Sequence, residues 1–506
     1  MNEIMPGSPA SDGERTETDA LGSRRIDDAH YYGIQTVRAH ENFSISGKTI
    51  ADVPGFVASV IRIKQAAALA NLAAGGLPKE IAEAIVAAGK FCLEDFEPSQ
   101  FCVDIYHGGG GTAANMNVNE VLANRANEAL TGHKGYDCVH PNTHVNMGQS
   151  TNDVIPSAMK LAVHGLLARL QGSGSTLVEA LAAREAEFAG VIKLSRTCFQ
   201  DALPITLGQQ LSGYRHGFQR ILRELAAAKD KCLHLPLGAT AIGTEFGALA
   251  GYKAEIYAEL RRITGLELEP DENFFDGLQN ADQWISISGV LKALALSVAK
   301  MCADLRLMSS GPRAGLSEIT LPAVQPGSSI MPGKTNPVIP EMAIQVYFRV
   351  LGNDATVTRA CEGELDLNVW ESIILNAVTE SIVLLDRTIP LLVSKCIVGL
   401  TANETACRRA AEGSLALSTA IAAVFDYPKA GSVARFAAER WHAGQGCGRR
   451  NVASVAAGGR RALRGLAFRR SFALSNGDPE ISPSGATRCA RRRRDGMTAA
   501  YDQSSA

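Results

Sequence analysis

Residues 281–310 read ADQWISISGVLKALALSVAKMCADLRLMSS. Within them Trp284, Ile287, Leu291, Leu294, Val298, Met301, Leu305 and Met308 follow one another at steps of 3, 4, 3, 4, 3, 4 and 3. That spacing lines one seam of an α-helix packed lengthwise against others. No Gly or Pro interrupts the run between Val290 and Ser310, and thirty residues at helical rise make a rod of roughly 45 Å. Ile285, Val290 and Leu296 put further apolar side chains on the other faces. A helix apolar on most sides belongs inside a large bundle.

Outward from this rod, the spacing predicts further helices over 154–188, 209–231, 341–362 and 367–389, the last ended by Pro390. No convincing run of alternating strand residues and no short internal repeat is present, so the expected class is all-α. Four loops dense in Gly, Ser, Thr, Asn and Pro lie between the helices, at 107–117, 140–152, 195–208 and 325–340. Polar loops at the junctions of long rods are where chemistry is expected.

Composition narrows the class. The 506 residues are 46% hydrophobic and 20% charged, enough for a sizeable core and for more than one domain or one very elongated one. The net charge of −2 gives no general pull towards nucleic acid or membrane. No stretch reaches the length of uninterrupted apolar sequence that a membrane span needs. The polar, acidic first 22 residues lack the basic start and apolar run of a secretory signal and read as a disordered lead-in. Eleven cysteines without a CxxC pair argue against metal ribbons and redox dithiols, and for reduced thiols in the cytoplasm. Residues 438–506 carry 13 Arg and no Lys against 5 acidic residues. Such an asymmetry can mark a nucleic-acid arm; here Gly, Ser and Pro break it up, and it reads as a disordered extension.

The loop GSSIMPGKTNPVIPE (327–341) invites comparison with a phosphate-binding P-loop. It has five residues between its glycines where a P-loop has four, one of them Pro332, and it follows loop rather than a buried strand. The nucleotide reading therefore fails. What the segment does offer is two adjacent hydroxyls, a lysine and an amide in a glycine-flanked loop just before a helix. Lys334 can hold a carboxylate by charge, and Asn336 can both donate to it and accept from an ammonium group. A serine here could act as a base only if its alkoxide were strongly stabilised, for example by backbone N–H groups. HVNMGQSTND (144–153) adds Ser150, Thr151 and Asn152, and GGGGTAANMN (108–117) adds Thr112 on a backbone that lets a ligand approach closely. Each loop alone reads as helix capping. Together, many neutral donors and few full charges suit a dicarboxylate site, where hydrogen bonds tighten as negative charge develops.

The loop 327–341 resembles the signature of the aspartase/fumarase superfamily. YYGIQTVRAHENF (31–43), GTAANMNVNEVLANR (111–125), HPNTHVNMGQSTNDVIPSA (140–158) and RTCFQDALPITLGQ (196–209) resemble the family's other blocks, in the family's order, from about residue 26 to about 439. The resemblance implies a three-domain, mostly α fold. A lead-in (1–25) would precede an N-terminal helical domain (26–152), a central five-helix bundle (153–400), a small C-terminal helical domain (401–437) and the atypical tail (438–506). Four subunits would join their bundles into a twenty-helix core, with each active site built from three subunits. The implied reaction is reversible deamination of L-aspartate to fumarate and ammonia, without metal or organic cofactor, nucleic acid or membrane.

By the same resemblance Ser328 matches the base that takes a proton from the carbon beside the β-carboxylate. Thr112, Ser150, Thr151 and Ser329 match the groups that stabilise the resulting enediolate. Lys334 and Asn336 match the α-carboxylate anchor, and Asn152 with Thr112 would meet the leaving ammonia. Thr197 and Cys198 fall in the substrate-contacting block, and Glu341 matches a supporting glutamate. Cys198 stands where the family usually has histidine, which in fumarases pairs with that glutamate to handle water. A thiol cannot carry an imidazolium's charge, so Cys198 favours ammonia as leaving group over water. The alternatives are a class II fumarase and a catalytically silent tetrameric scaffold.

Overall fold

The computed structural model describes residues 13–414, 418, 419, 422 and 426–442. These fall into two compact units, one of 13–193 with 205–409, the other of 194–204 with the described residues beyond 409.

The predicted rod is the helix Asp282–Met308, and all eight seam residues are buried. Full burial of side chains of this size is worth about 1.5–3 kcal/mol each, so the seam is a principal anchor of the fold. The remaining helices of the first unit, in chain order, are α1 (Ile34–Phe43), α2 (Phe56–Ala73), α3 (Lys79–Glu94), α4 (Thr112–Thr131), α5 (Thr151–Glu187), α6 (Leu207–Lys231), α7 (Tyr252–Thr264) and α8 (Phe274–Gln279). After them come the rod, α9, then α10 (Val338–Ala360) and α11 (Glu371–Leu392), while α12 (Glu404–Gly413) begins in this unit and ends in the second. Five of these, α5, α6, α9, α10 and α11, pack lengthwise on one another. The five-helix bundle is thus present in one chain. Helices α2 and α4 pack on α5 and carry α1, α3 and α7 against them, and one continuous apolar core runs through both groups.

Three expectations change. Residues 14–25 are not an unstructured lead-in: β1 (Glu14–Asp19) and β2 (Gly22–Asp27) form an antiparallel hairpin. Its charges are matched from elsewhere. Glu17 is buried against the Tyr136 hydroxyl and the Ile34 N–H, and Asp19 pairs with Arg38; composition cannot show such pairing. Residues 1–12 lie outside the described residues. Secondly, α11 does not stop before Pro390 but runs through it to Leu392. Proline leaves the Asp386 carbonyl without its helical N–H; the Ser173 hydroxyl donates to Asp386 Oδ1 at 2.7 Å and lies 3.4 Å from that carbonyl. Thirdly, much of the loop 195–208 is strand: β3 (Ile192–Thr197) pairs with β4 (Gln200–Thr206). In the second unit, residues 427–442 form a helix; the arginine-rich tail beyond 442 lies outside the described residues.

Helices α2 and α9 are long and apolar enough to cross a membrane by length and composition. Their apolar windows are 72% and 50% buried within the chain, as in core helices. On α9 the side chains left exposed include Ile285 and Leu296. Leu294→Ala, in the seam, should destabilise the protein by about 2–5 kcal/mol through lost burial and a residual cavity, read as a lower denaturant midpoint.

Candidate active site

Two of the sequence-marked loops meet at the root of α5. Ser150 caps that helix: its Oγ accepts from the Asn152 N–H at 3.2 Å, and its own N–H donates to Asp153 Oδ1 at 2.9 Å. Asp153 is fully buried and also accepts from the N–H groups of Gly238 and Thr240. Burial pushes its carboxyl up to about 6, against the pull of those hydrogen bonds. The amide of Asn152 donates to the Ala241 carbonyl at 2.7 Å. Gly111 lets the glycine loop dock here. It has φ +82°, and a Cβ on it would lie 2.8 Å from Ile155 of α5. The next residue, Thr112, is exposed at the start of α4, its hydroxyl donating to the Gly109 carbonyl at 2.8 Å.

Behind these hydroxyls lies a network that sequence reading missed. Lys64 on α2 is fully buried and donates to Asn146 Oδ1 at 2.8 Å and to Gln149 Oε1 at 2.9 Å. Asn146 Oδ1 also accepts from Asn115 and Asn119. Asn115 in turn donates to Thr151 Oγ1 at 3.1 Å. Thr151 and Ser150 both accept from within the protein, which leaves each hydroxyl hydrogen free to donate outwards. The one available signal was a lysine inside the apolar run VIRIKQAAALA (60–70).

The loop 325–340 is folded on itself. Ser328 Oγ accepts from the N–H groups of Ile330 and Met331 at 3.2 and 3.0 Å. Asn336 donates to the Gly327 carbonyl at 2.8 Å, and the Gly327 N–H to the Lys334 carbonyl at 2.8 Å. A Cβ on Gly327 would fall 2.7 Å from the Asn336 nitrogen, so this closure requires glycine. The backbone before the loop is a two-residue strand and irregular chain, as the rejection of a P-loop requires. Ser329 and Lys334 are exposed. Glu341, on the first turn of α10, pairs with Arg306 at 3.3 Å. An open pocket of about 410 Å³ at Ser328 is lined solely by residues of 323–335. Thr112, Ser150, Thr151 and Asn152 are not among them, so the single chain does not join the two halves of the site there. Thr197 and Cys198 belong to the other unit. Cys198 and Phe199 form the exposed tip of the β3–β4 hairpin, with φ +52° and +58°, the left-handed pair that a two-residue hairpin turn needs.

In the unfolded chain the Lys64 amine holds its proton up to about 10.5; burial lowers this to about 7, partly offset by Asp153. Between those values the unfolded chain binds more protons, so this group makes stability rise with pH. Asp153 is already ionised across that window. The wild type should therefore gain stability relative to Lys64→Met between about pH 7 and about pH 10, by roughly 3 kcal/mol at about 1.4 kcal/mol per pH unit, measured from denaturant midpoints.

Residues 22–352 match the lyase family. The chain is 45% identical to an aspartate ammonia-lyase of Pseudomonas fluorescens over 84% of this chain and 90% of that one. It is 43% identical to one of Helicobacter pylori over 83% and 90%. A solved structure described as a fumarate lyase:delta crystallin of Brucella melitensis superposes with a TM-score of 0.83 at 41% identity, covering 89% of this chain and 99% of that one.

Proposed function

Because the chain belongs to the lyase family that includes the aspartate ammonia-lyases, we infer that it is itself an aspartate ammonia-lyase, a carbon–nitrogen lyase acting on L-aspartate. The observation that carries the chemistry is the pair of backbone N–H groups on Ser328 Oγ. An alkoxide there would be held by two donors fixed in place before the reaction, which lowers the cost of ionising the hydroxyl.

Ser328 then removes a proton from the carbon beside the β-carboxylate, and the electron pair moves into that carboxylate to give an enediolate. Hydroxyl donors at Thr112, Ser150, Thr151 and Ser329 meet the added charge. For Ser150 and Thr151 this reading is supported by hydroxyl hydrogens left free by the bonds each accepts. Thr112 must first release the Gly109 carbonyl. Lys334 and Asn336 hold the α-carboxylate. The enediolate collapses, the C–N bond breaks with its electrons going to nitrogen, and ammonia leaves past Asn152 and Thr112. Thr197 and Cys198 complete the substrate contacts, and Glu341 supports the loop. Cys198 weighs against a fumarase, since hydroxide is the poorer leaving group and needs an acid that a thiol does not replace.

The assembly follows from the separation of the two halves. The Ser328 loop of one subunit would close over the Ser150 and Thr112 loops of others in a homotetramer. The exposed apolar side chains Ile285 and Leu296 on α9, with Phe348 and Leu351 on α10, support this packing. No disulfide joins the nine described cysteines, in keeping with a reducing cytoplasm.

Purified protein given L-aspartate should release fumarate, seen by its ultraviolet absorbance, together with ammonia, and should not do so with L-malate. A rise with malate alone would replace this reading by a fumarase. Ser328→Ala should lower kcat by about 10²–10⁴-fold, the usual contribution of a general base, with the fold retained by circular dichroism. Lys334→Ala should act mainly on KM for aspartate, since it removes a binding charge rather than the base.

A further inference from the structure

One buried carboxyl has no part in this chemistry. Glu371, the first residue of α11, is 4% exposed, and its Oε2 has no hydrogen-bond partner among the described residues. It lines a cavity of about 10 Å³, close to the space of a single water-sized molecule. Its apolar wall is Phe56 of α2, Ile155 of α5 and Leu375 of α11 with Ile50, Val53 and Ile105 from the chain between helices, and the polar members are Glu371, His107 and Ser372.

His107 and Ser372 present acceptors, and Glu371 presents a proton. His107 Nδ1 lies 2.7 Å from the Asp104 carbonyl oxygen, which can only accept, so Nδ1 carries the ring hydrogen. Burial lowers the pKa of this imidazole, leaving a neutral ring with a bare Nε2 lone pair. Ser372 spends its hydrogen on the His107 carbonyl at 3.3 Å. Burial also raises the Glu371 carboxyl well above the usual carboxylate range. A small molecule rich in N–H donors that can take up a proton therefore suits this cavity better than a second acceptor does.

Its position supplies the candidate. A Cβ on Gly110 would lie 3.7 Å from Glu371 Oε2, and Thr112 follows two residues later. Ile155, another wall residue, is one turn beyond Thr151 on α5. The cavity thus sits directly behind hydroxyls of the candidate site. Resting on the aspartate ammonia-lyase reading, we propose that it is a binding site for the released ammonia, held as ammonium between Glu371 and His107. Cleavage of the C–N bond yields neutral NH₃. In the cavity the nitrogen lone pair takes the proton of the Glu371 carboxyl, giving NH₄⁺ and a carboxylate. The same proton returns to Glu371 when the nitrogen departs as NH₃. In the reverse direction the site loads ammonium before fumarate is aminated.

The test is amination of fumarate with ammonium varied, in the wild type and in Glu371→Gln, which keeps the shape and removes the acid. KM for ammonium should rise about tenfold, the usual size of a lost charge-assisted hydrogen bond, while KM for fumarate stays in place. An active variant with unchanged KM for ammonium, or with both KM values raised alike, overturns the proposal. A wild type that aminates nothing overturns the lyase reading instead. Thallium(I), an ammonium-sized cation, soaked into wild-type crystals then decides the site independently of activity and of the variant's folding. Anomalous density beside Glu371 supports it, and an empty cavity refutes it.

Discussion

Lys64 places an amine inside an apolar helical cluster, where an uncompensated charge costs several kcal/mol. Much of the site's geometry follows from meeting that cost. Asn146 and Gln149 turn their oxygens onto the amine, which fixes the turn that leads into α5. Asn146 also gathers Asn115 and Asn119, tying α4 to the same point. Through Asn115 the network ends on Thr151, so an amine buried on α2 orients a hydroxyl at the surface. Asp153, equally buried and close enough to hold the amine's pKa up, binds Gly238 and Thr240 into the assembly. Removing one member leaves the others buried without partners, and such networks are rigid for that reason.

The five-helix bundle supplies the complementary constraint. Its helices are too long and too closely packed to yield locally, so conformational freedom collects in the loops at their ends. The Ser328 loop is the clearest case. It is closed by backbone hydrogen bonds and the Asn336 amide while Ser329, Ile330 and Lys334 stay exposed. Such a loop is preformed around its serine, as the role proposed for Ser328 needs.

The exposed apolar side chains on α9 and α10 have a plain physical origin. A bundle helix with apolar residues on several faces can bury only some of them within one chain. In α9 the seam residues are inside, while Ile285 and Leu296 are not. The unburied faces and the separated loops are what the proposed homotetramer would cover and bring together.

The sequence by itself determined the bundle, because helical periodicity is written in residues three and four apart; the seam 284–308 is buried throughout, as its spacing requires. It also marked Ser328 and the hydroxyl loops, whose donors cluster within a few residues of one another. A carboxylate's partners are another matter. The Tyr136 hydroxyl that meets Glu17 of the hairpin, and the Ser173 hydroxyl that meets Asp386, join residues more than a hundred positions apart. Lys64 and Asn146, 82 positions apart, and Glu371 behind Gly110 are likewise joined only by the fold. A charged residue's burial depends on what packs over it. Only the tertiary structure decides that, since the desolvation that shifts Lys64 and Glu371 comes from side chains brought by distant helices.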